Sequence, residues 1–315
     1  MKKLLITRVL PEANLEAARA RFDVTVRESA DGLTVAEAAQ ALADYDAILP
    51  TLGDQFSAEA FIGDLRCGVL ANFGVGYNHI DVAAAGMAGV SVSNTPDVVT
   101  DATADIGLTL ILSACRRAGE GERMVRADAW TGWSPTQMLG THVTGKTVGI
   151  VGMGRIGQAV ARRCHFGFEM PVLYFNRSRK SVDFPARQVE TLHDLMREAD
   201  IIVVTVPGGG GNAHLIDAAA LAAMKPTGIF VNIARGDVVD EAALIAALQT
   251  GQIAGAGLDV FEHEPHVPDA FRALENVVLL PHLGTAALEI REAMGQMALD
   301  NIIAWEEGRP LPQAV

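Results

Sequence analysis

The run Gly152-Met153-Gly154-Arg155-Ile156-Gly157 constrains this chain more than any other feature. It lies between an apolar stretch at 147–151 and a helical pattern at 158–164. Glycine-rich turns alone are common, but a glycine triplet leaving a buried strand and opening a helix marks a parallel α/β sheet that binds a dinucleotide. Gly152 permits the tight turn, Gly154 lets the backbone approach a phosphate, and Gly157 lets helix and strand pack closely. The helix start adds unpaired N–H groups and a positive dipole end for the anion.

The next apolar run, 172–175, ends at Asn176, which is 176 − 157 = 19 residues beyond the last glycine. NAD enzymes place an acid for the ribose 2′-hydroxyl at about this spacing, ~20 residues. Here no carboxylate stands to repel a 2′-phosphate, and Asn176, Arg177, Ser178 and Arg179 are followed by Lys180. Guanidinium forks match phosphate geometry, so the stretch predicts NADP(H), with NAD(H) the weaker alternative. The competing reading is a solvated basic loop.

The chain has 315 residues, long for a single core, so two domains are expected. Half of the residues are hydrophobic and only 5% aromatic, which suits buried parallel strands. The net charge of −13 repels nucleic acid and anionic membrane, and an anionic substrate then needs a locally positive pocket. Three cysteines, Cys67, Cys115 and Cys164, form no disulfide framework and no metal-ligand spacing. The apolar start at residues 4–6 is cut short by Thr7-Arg8, and no stretch approaches a membrane span. A cytoplasmic protein with no metal is expected.

Residues 3–98 alternate strand-like runs (4–9, 24–26, 47–49, 69–73, 90–92) with helical ones (14–21, 35–43, 58–62, 82–87). One long helix is expected over 101–127, with Ile106, Leu108, Leu110, Ile111 and Leu112 buried. Six further strands, at 147–151, 172–176, 201–206, 228–233, 255–260 and 277–280, match a complete dinucleotide-binding sheet. A last helix at 286–306 has no place in that sheet and is expected to return to the first domain. The architecture predicted is α/β: two doubly wound parallel-sheet domains, a Rossmann coenzyme domain (99–285) inserted into a flavodoxin-like substrate domain (1–98 plus 286–315). A hinge and a cleft are expected where the chain crosses twice.

Three strand ends carry polar groups. Asn232-Ile233-Ala234-Arg235 closes one, Asp259 to Pro265 the next, and Pro281-His282-Leu283-Gly284 the last. Hydride transfer to a 2-keto acid needs an Arg to hold the carboxylate, a His to protonate the carbonyl oxygen and a carboxylate to orient that His. Arg235, His282 and Glu264 fill these roles. Glu262 competes with Glu264, and Arg235 could instead pair with Asp237 or Asp240.

In these segments the chain resembles the D-isomer-specific 2-hydroxyacid dehydrogenase family, and within it the glyoxylate/hydroxypyruvate reductase branch. The matching stretches are 72–81, 145–157, 232–244, 257–265 and 281–294. The resemblance implies Arg235, Glu264 and His282 as the catalytic trio, with the Val75 and Gly76 amides receiving the substrate carboxylate and Leu52 lining that pocket. It implies that Asp259 holds the nicotinamide carboxamide, with Thr103, His282 and Gly284 at the nicotinamide end. Arg155 and Ile156 would cover the pyrophosphate, and Val206, Pro207, Ile233 and Ala234 would flank the ribose path. It also implies a homodimer in which Trp133, or else Trp130, reaches the partner's site. Pro207-Gly208-Gly209-Gly210-Gly211-Asn212 departs from the family's usual Pro-Leu loop, reading either as a flexible surface loop or as backbone that nears the ribose. The activity expected is NADPH-dependent reduction of glyoxylate and hydroxypyruvate. Other readings are a D-lactate, phosphoglycerate or formate type dehydrogenase, or a non-catalytic nucleotide-sensing scaffold.

Overall fold

The computed structural model describes all 315 residues, which form two compact units: Met1–Val99 with Thr285–Val315, and Thr100–Gly284. In the first unit β1 (Lys3–Ile6), β2 (Asp23–Val26), β3 (Ala47–Leu49), β4 (Val69–Ala71) and β5 (Ser91–Ser93) pair in the order β2-β1-β3-β4-β5, all parallel. Between them run α1 (Glu12–Arg19), α2 (Val35–Asp44) and α3 (Val82–Met87). The Thr34 hydroxyl and Glu37 carboxylate cap α2 reciprocally, and Asp81 caps α3 through the Ala84 N–H at 2.9 Å. Residues 58–61, expected as a helix, make a single 3₁₀ turn.

The second unit opens with α4 (Thr100–Cys115) and α5 (Ala118–Arg126), where one helix was expected. In an unbroken helix the Cys115 carbonyl would bond the Gly119 N–H; it accepts from Thr141 at 2.7 Å instead. The returning loop sits so close that a Cβ on Gly140 would lie 2.4 Å from that carbonyl. Arg117 then takes a left-handed conformation (φ 53°) and pairs with Glu120 at 2.6 Å. The buried side of α4 is Thr103, Ala104, Gly107, Leu110, Ile111 and Cys115. Leu112 is exposed, and Ile106 and Leu108 are half-buried.

The strands of this unit are β6 (Val148–Val151), β7 (Val172–Phe175), β8 (Ala186–Gln188), β9 (Ile201–Val204), β10 (Ile229–Asn232), β11 (Gly255–Leu258) and β12 (Val277–Leu279). They form one parallel sheet in the order β12-β11-β10-β9-β6-β7-β8. β8 is a seventh strand beyond the six expected; its Ala-Arg-Gln sequence carries no apolar run and lies at an edge beside β7. Helices α6 (Arg155–Phe168), α7 (Leu192–Glu198), α8 (Ala218–Ala222), α9 (Glu241–Gln249) and α10 (Asp269–Arg272) connect the strands. β6, β9, β10 and β11 are buried at every residue because an apolar cluster covers each face of the sheet.

The last helix, α11 (Leu288–Glu306), packs in the first unit. Its Gly295 abuts Asn14 of α1, and the Glu292 carbonyl accepts from the Asn14 amide at 2.9 Å. Beyond it the chain pairs along β5, with Asn94 N–H to Gln313 O at 3.2 Å and Val315 N–H to Val92 O at 3.1 Å. Cys67, Cys115 and Cys164 are buried and unbridged, and burial pushes their thiols up to about 12, 11 and 12. No helix is long and apolar enough to cross a membrane.

Gly157 packs so tightly that a Cβ there would lie 2.2 Å from the Gly152 carbonyl oxygen and 2.8 Å from Thr205 Oγ1. Gly157→Ala should therefore lower stability by about 1–3 kcal/mol, the usual range for overpacking, as read from the urea midpoint.

Candidate active site

β10, β11 and β12 are neighbours whose ends stand in register, Asn232 opposite Leu258 and Leu258 opposite Leu279. Whatever follows each strand is delivered to one edge of the sheet, where doubly wound folds place ligands. After β10, buried Asn232 shapes the turn: its amide donates to the Arg235 carbonyl at 2.9 Å, and its oxygen accepts the Ala234 N–H at 3.0 Å. The Arg235 stem lies against Gly208, where a Cβ would stand 2.7 Å from Arg235 Cγ. The four-glycine loop thus has a packing role at its first residue that neither sequence-based reading included. Its next residue, Gly209, donates its N–H to Asp237 at 2.6 Å.

Arg235 has no ion-pair partner. Asp237 serves Gly209, Asp240 caps α9 through the Ala243 N–H at 2.9 Å, and the guanidinium donates only to the Ala234 carbonyl at 2.6 Å. Burial lowers its pKa, opposed by the charges of Glu264 and Asp237. A largely buried guanidinium fork without a carboxylate is poised to take one from a ligand.

After β12, His282 Nδ1 lies 2.8 Å from Glu264 Oε2. Burial pushes the Glu264 carboxyl up, but the hydrogen bond and charge of His282, the Phe261 N–H at 3.0 Å and the charge of Arg235 outweigh it and hold it below the ordinary carboxylate range. An ionised carboxylate only accepts, so Nδ1 carries a hydrogen and Nε2 is left for a reacting group. Glu262 is not the partner: it pairs with His214 Nε2 at 3.0 Å, and this bond raises the His214 pKa. That second His–carboxylate pair escaped the sequence reading because the two residues are far apart in the chain.

His282 has φ 54°, a left-handed conformation that a residue other than glycine rarely adopts unless its surroundings impose it. Asp259 imposes it. Its carbonyl accepts the His282 N–H at 2.9 Å, and its carboxylate accepts the Leu283 N–H at 2.6 Å and the Gly284 N–H at 2.9 Å. Asp259 is 1% exposed, and burial raises its pKa against the pull of those two amides and of His282. Thr103 is buried alongside; a Cβ on Gly284 would stand 3.4 Å from both Thr103 Oγ1 and Asp259 Oδ2.

The glycine turn follows β6, two strands further in from β10. A Cβ on Gly152 would meet Val206 Cγ1 at 2.6 Å, whereas one on Gly154 would meet nothing within 4 Å. The chain therefore closes behind Gly152 and leaves open space at Gly154, the N-cap of α6, as a pyrophosphate requires. The residues present fit a dinucleotide. Thr205 Oγ1 donates to the Gly152 carbonyl at 2.6 Å and braces the turn. Arg155 is exposed, Ile156 and Val206 are half-buried, Pro207 is exposed, and Ile233 and Ala234 are buried. Asn176 accepts the Met153 N–H at 3.1 Å and donates to the Ser178 carbonyl at 2.7 Å. Arg177, Ser178 and Arg179 are exposed.

In the first unit, Leu52 follows β3 and is 42% exposed. The Gly74-Val75-Gly76 turn follows β4, and the Val75 and Gly76 N–H groups donate to nothing in the chain. In the second unit, the polar arm before β6 exposes Trp133 at 79% and Trp130 at 54%, with Trp130 Nε1 donating to the Gln137 side chain at 3.3 Å.

Residues 108–284 match the family described as "D-isomer specific 2-hydroxyacid dehydrogenase, NAD binding domain". A glyoxylate reductase of Pyrococcus furiosus is 42% identical over 99% of this chain and 95% of its own length. A glycerate dehydrogenase of Hyphomicrobium methylovorum is 36% identical over 100% and 99%. Among solved structures, an NADPH-dependent glyoxylate/hydroxypyruvate reductase of Sinorhizobium meliloti, in complex with NADP and malonate, superposes with a TM-score of 0.89 at 34% identity, covering 100% of this chain and 96% of that one. The chain belongs to the D-isomer-specific 2-hydroxyacid dehydrogenase family and is an oxidoreductase.

With its pKa lowered in the fold, Glu264 contributes stability above the ordinary carboxylate range, and that contribution is lost as pH falls through the lowered value. Glu264→Gln should then be less stable than the parent at pH 7, with the gap closing below about pH 4. Urea midpoints at a series of pH values check this, and a gap independent of pH would contradict it.

Proposed function

We propose that this protein reduces small 2-keto acids, glyoxylate and hydroxypyruvate foremost, to 2-hydroxy acids with NADPH. The observation that carries the reading is a histidine held by an ionised carboxylate, with a half-buried arginine that has no ion-pair partner, at the ends of three neighbouring strands. When bound, the reduced dinucleotide supplies the hydride. Arg235 holds the substrate carboxylate by two parallel hydrogen bonds, which orients the 2-carbonyl. His282 gives the Nε2 proton to the carbonyl oxygen as that oxygen gains charge. Glu264 keeps the ring oriented through its hydrogen bond to Nδ1. In the reverse direction the neutral imidazole takes the hydroxyl proton. Asp259 fixes the loop that aims His282, and it keeps lone pairs for a ligand amide. The first unit's Val75 and Gly76 amides are a separate element suited to a carboxylate.

The choice of NADPH rests on charge. Asn176 is neutral and already bound to its own loop, while Arg177 and Arg179 are exposed and belong to no ion pair. The relatives favour glyoxylate and hydroxypyruvate over lactate or formate as the substrate class.

His282→Gln should lower kcat for glyoxylate by roughly 10²–10⁴-fold, the usual worth of a positioned acid, with coenzyme affinity little changed. Failure of the parent protein to turn over glyoxylate, hydroxypyruvate, pyruvate or phenylpyruvate would end the reductase reading. Arg177→Ala should lower kcat/KM for NADPH by about tenfold, the worth of one charge-assisted contact, and leave NADH nearly unaffected. An unchanged NADPH/NADH ratio would return these residues to a solvated loop.

A further inference from the structure

A backbone turn binds an anion only if its N–H groups are held facing outward. Across a trans peptide the C=O of one residue and the N–H of the next point in opposite directions. Tethering a carbonyl therefore aims the following amide the other way. In the Gly74-Val75-Gly76 turn every carbonyl is tethered. Gly74 O accepts from Asn72 Nδ2 at 3.0 Å and from the Thr95 N–H at 3.1 Å. Val75 O accepts from Asn94 Nδ2 at 2.8 Å, and Gly76 O accepts from Asn72 Nδ2 at 3.0 Å.

We infer that Asn72 and Asn94 are positioning residues that hold the Val75 and Gly76 amides ready for a substrate carboxylate. The inference rests on the 2-keto acid reading above. The Gly74 tether sets the Val75 N–H, and the Val75 tether sets the Gly76 N–H. Asn94 is the sole tether of Val75 O, so the Gly76 donor depends on it alone. Asn72 is 1% exposed, and its own Oδ1 is buried without a partner. Its amide serves as a double donor to the turn while its acceptor goes unused, an arrangement that suits building the turn rather than satisfying Asn72.

Asn94 is itself anchored. Its N–H bonds Gln313 O at 3.2 Å, and buried Asn301 of α11 holds Gln313 through both its N–H, at 3.0 Å, and its side-chain oxygen, at 2.7 Å. The outward amides thus depend on a relay running from α11 through the strand pairing beside β5.

Asn94→Asp keeps the shape but sets an acceptor against Val75 O, and Asn94→Ala removes the tether. Each full-length variant is compared with the parent in glyoxylate turnover and in calorimetric binding of oxalate with NADP⁺ present. The expected result for both is a rise of tenfold or more in KM for glyoxylate and in Kd for oxalate. The kcat at saturation and the Kd for NADPH should stay within twofold. KM and oxalate Kd within twofold of the parent in both variants, or a fall in kcat with KM unchanged, would overturn the inference. So would a parent protein that fails to bind oxalate. Oxalate binding that weakens in the variants while the parent turns over no 2-keto acid would uphold the tethers and sink the reductase reading alone. Should Asn94→Asp fail to fold, Asn94→Ala carries the same comparison.

Discussion

Asp259 is the point on which the candidate active site turns. One buried residue accepts three consecutive backbone N–H groups, those of His282, Leu283 and Gly284. Without those bonds the left-handed backbone at His282 would have little to sustain it, and the imidazole would lose its alignment with Glu264. A buried carboxylate is costly to hold ionised, yet here its charge meets two amides and a neighbouring histidine. The same design recurs on a smaller scale after β10, where Asn232 satisfies both ends of the turn that presents Arg235. In each case a short polar side chain at a strand end consumes local backbone groups and leaves polar atoms of a longer side chain open: Nε2 of His282, and the rest of the Arg235 fork.

The glycine loops follow a related logic. Gly208 gives room to the Arg235 stem, and Gly236 lies so near the next strand's exit that a Cβ would stand 1.9 Å from the Phe261 carbonyl carbon. The Arg235 segment is thereby pressed onto the loop that carries Glu262 and Glu264. His214 bonds Glu262 from the far side of the four-glycine loop, and Glu241 accepts the Glu262 N–H at 2.9 Å. Three loops from three strand ends brace one another, so Glu264 reaches His282 from a rigid support.

Much of this was legible in the residues themselves. Buried parallel strands announce themselves as apolar runs, and the glycine fingerprint places the nucleotide sheet because each glycine answers a contact set by sheet geometry. That polar groups at 235, 262–264 and 282 follow neighbouring strands was legible because polar residues directly follow apolar runs. What escaped depends on contacts distant in sequence. The break at Arg117 is made by Thr141 capturing a helix carbonyl, an event no local pattern records. β8 forms because β7 offers an edge, not because Ala-Arg-Gln favours a strand. The choice between Glu262 and Glu264 needed the folded loop. Asn72 and Asn94 did leave a trace, since each is a polar residue just past a buried strand, but that trace does not say which carbonyls they reach.

The three cysteines carry a chemical consequence. With thiols at about 11 or 12, the fraction present as thiolate at pH 7 is only on the order of 10⁻⁴ to 10⁻⁵, and the thiolate is the nucleophile. Alkylating agents find no accessible, activated thiol in the native fold. Iodoacetamide labelling should therefore report the unfolding of the chain rather than its inhibition.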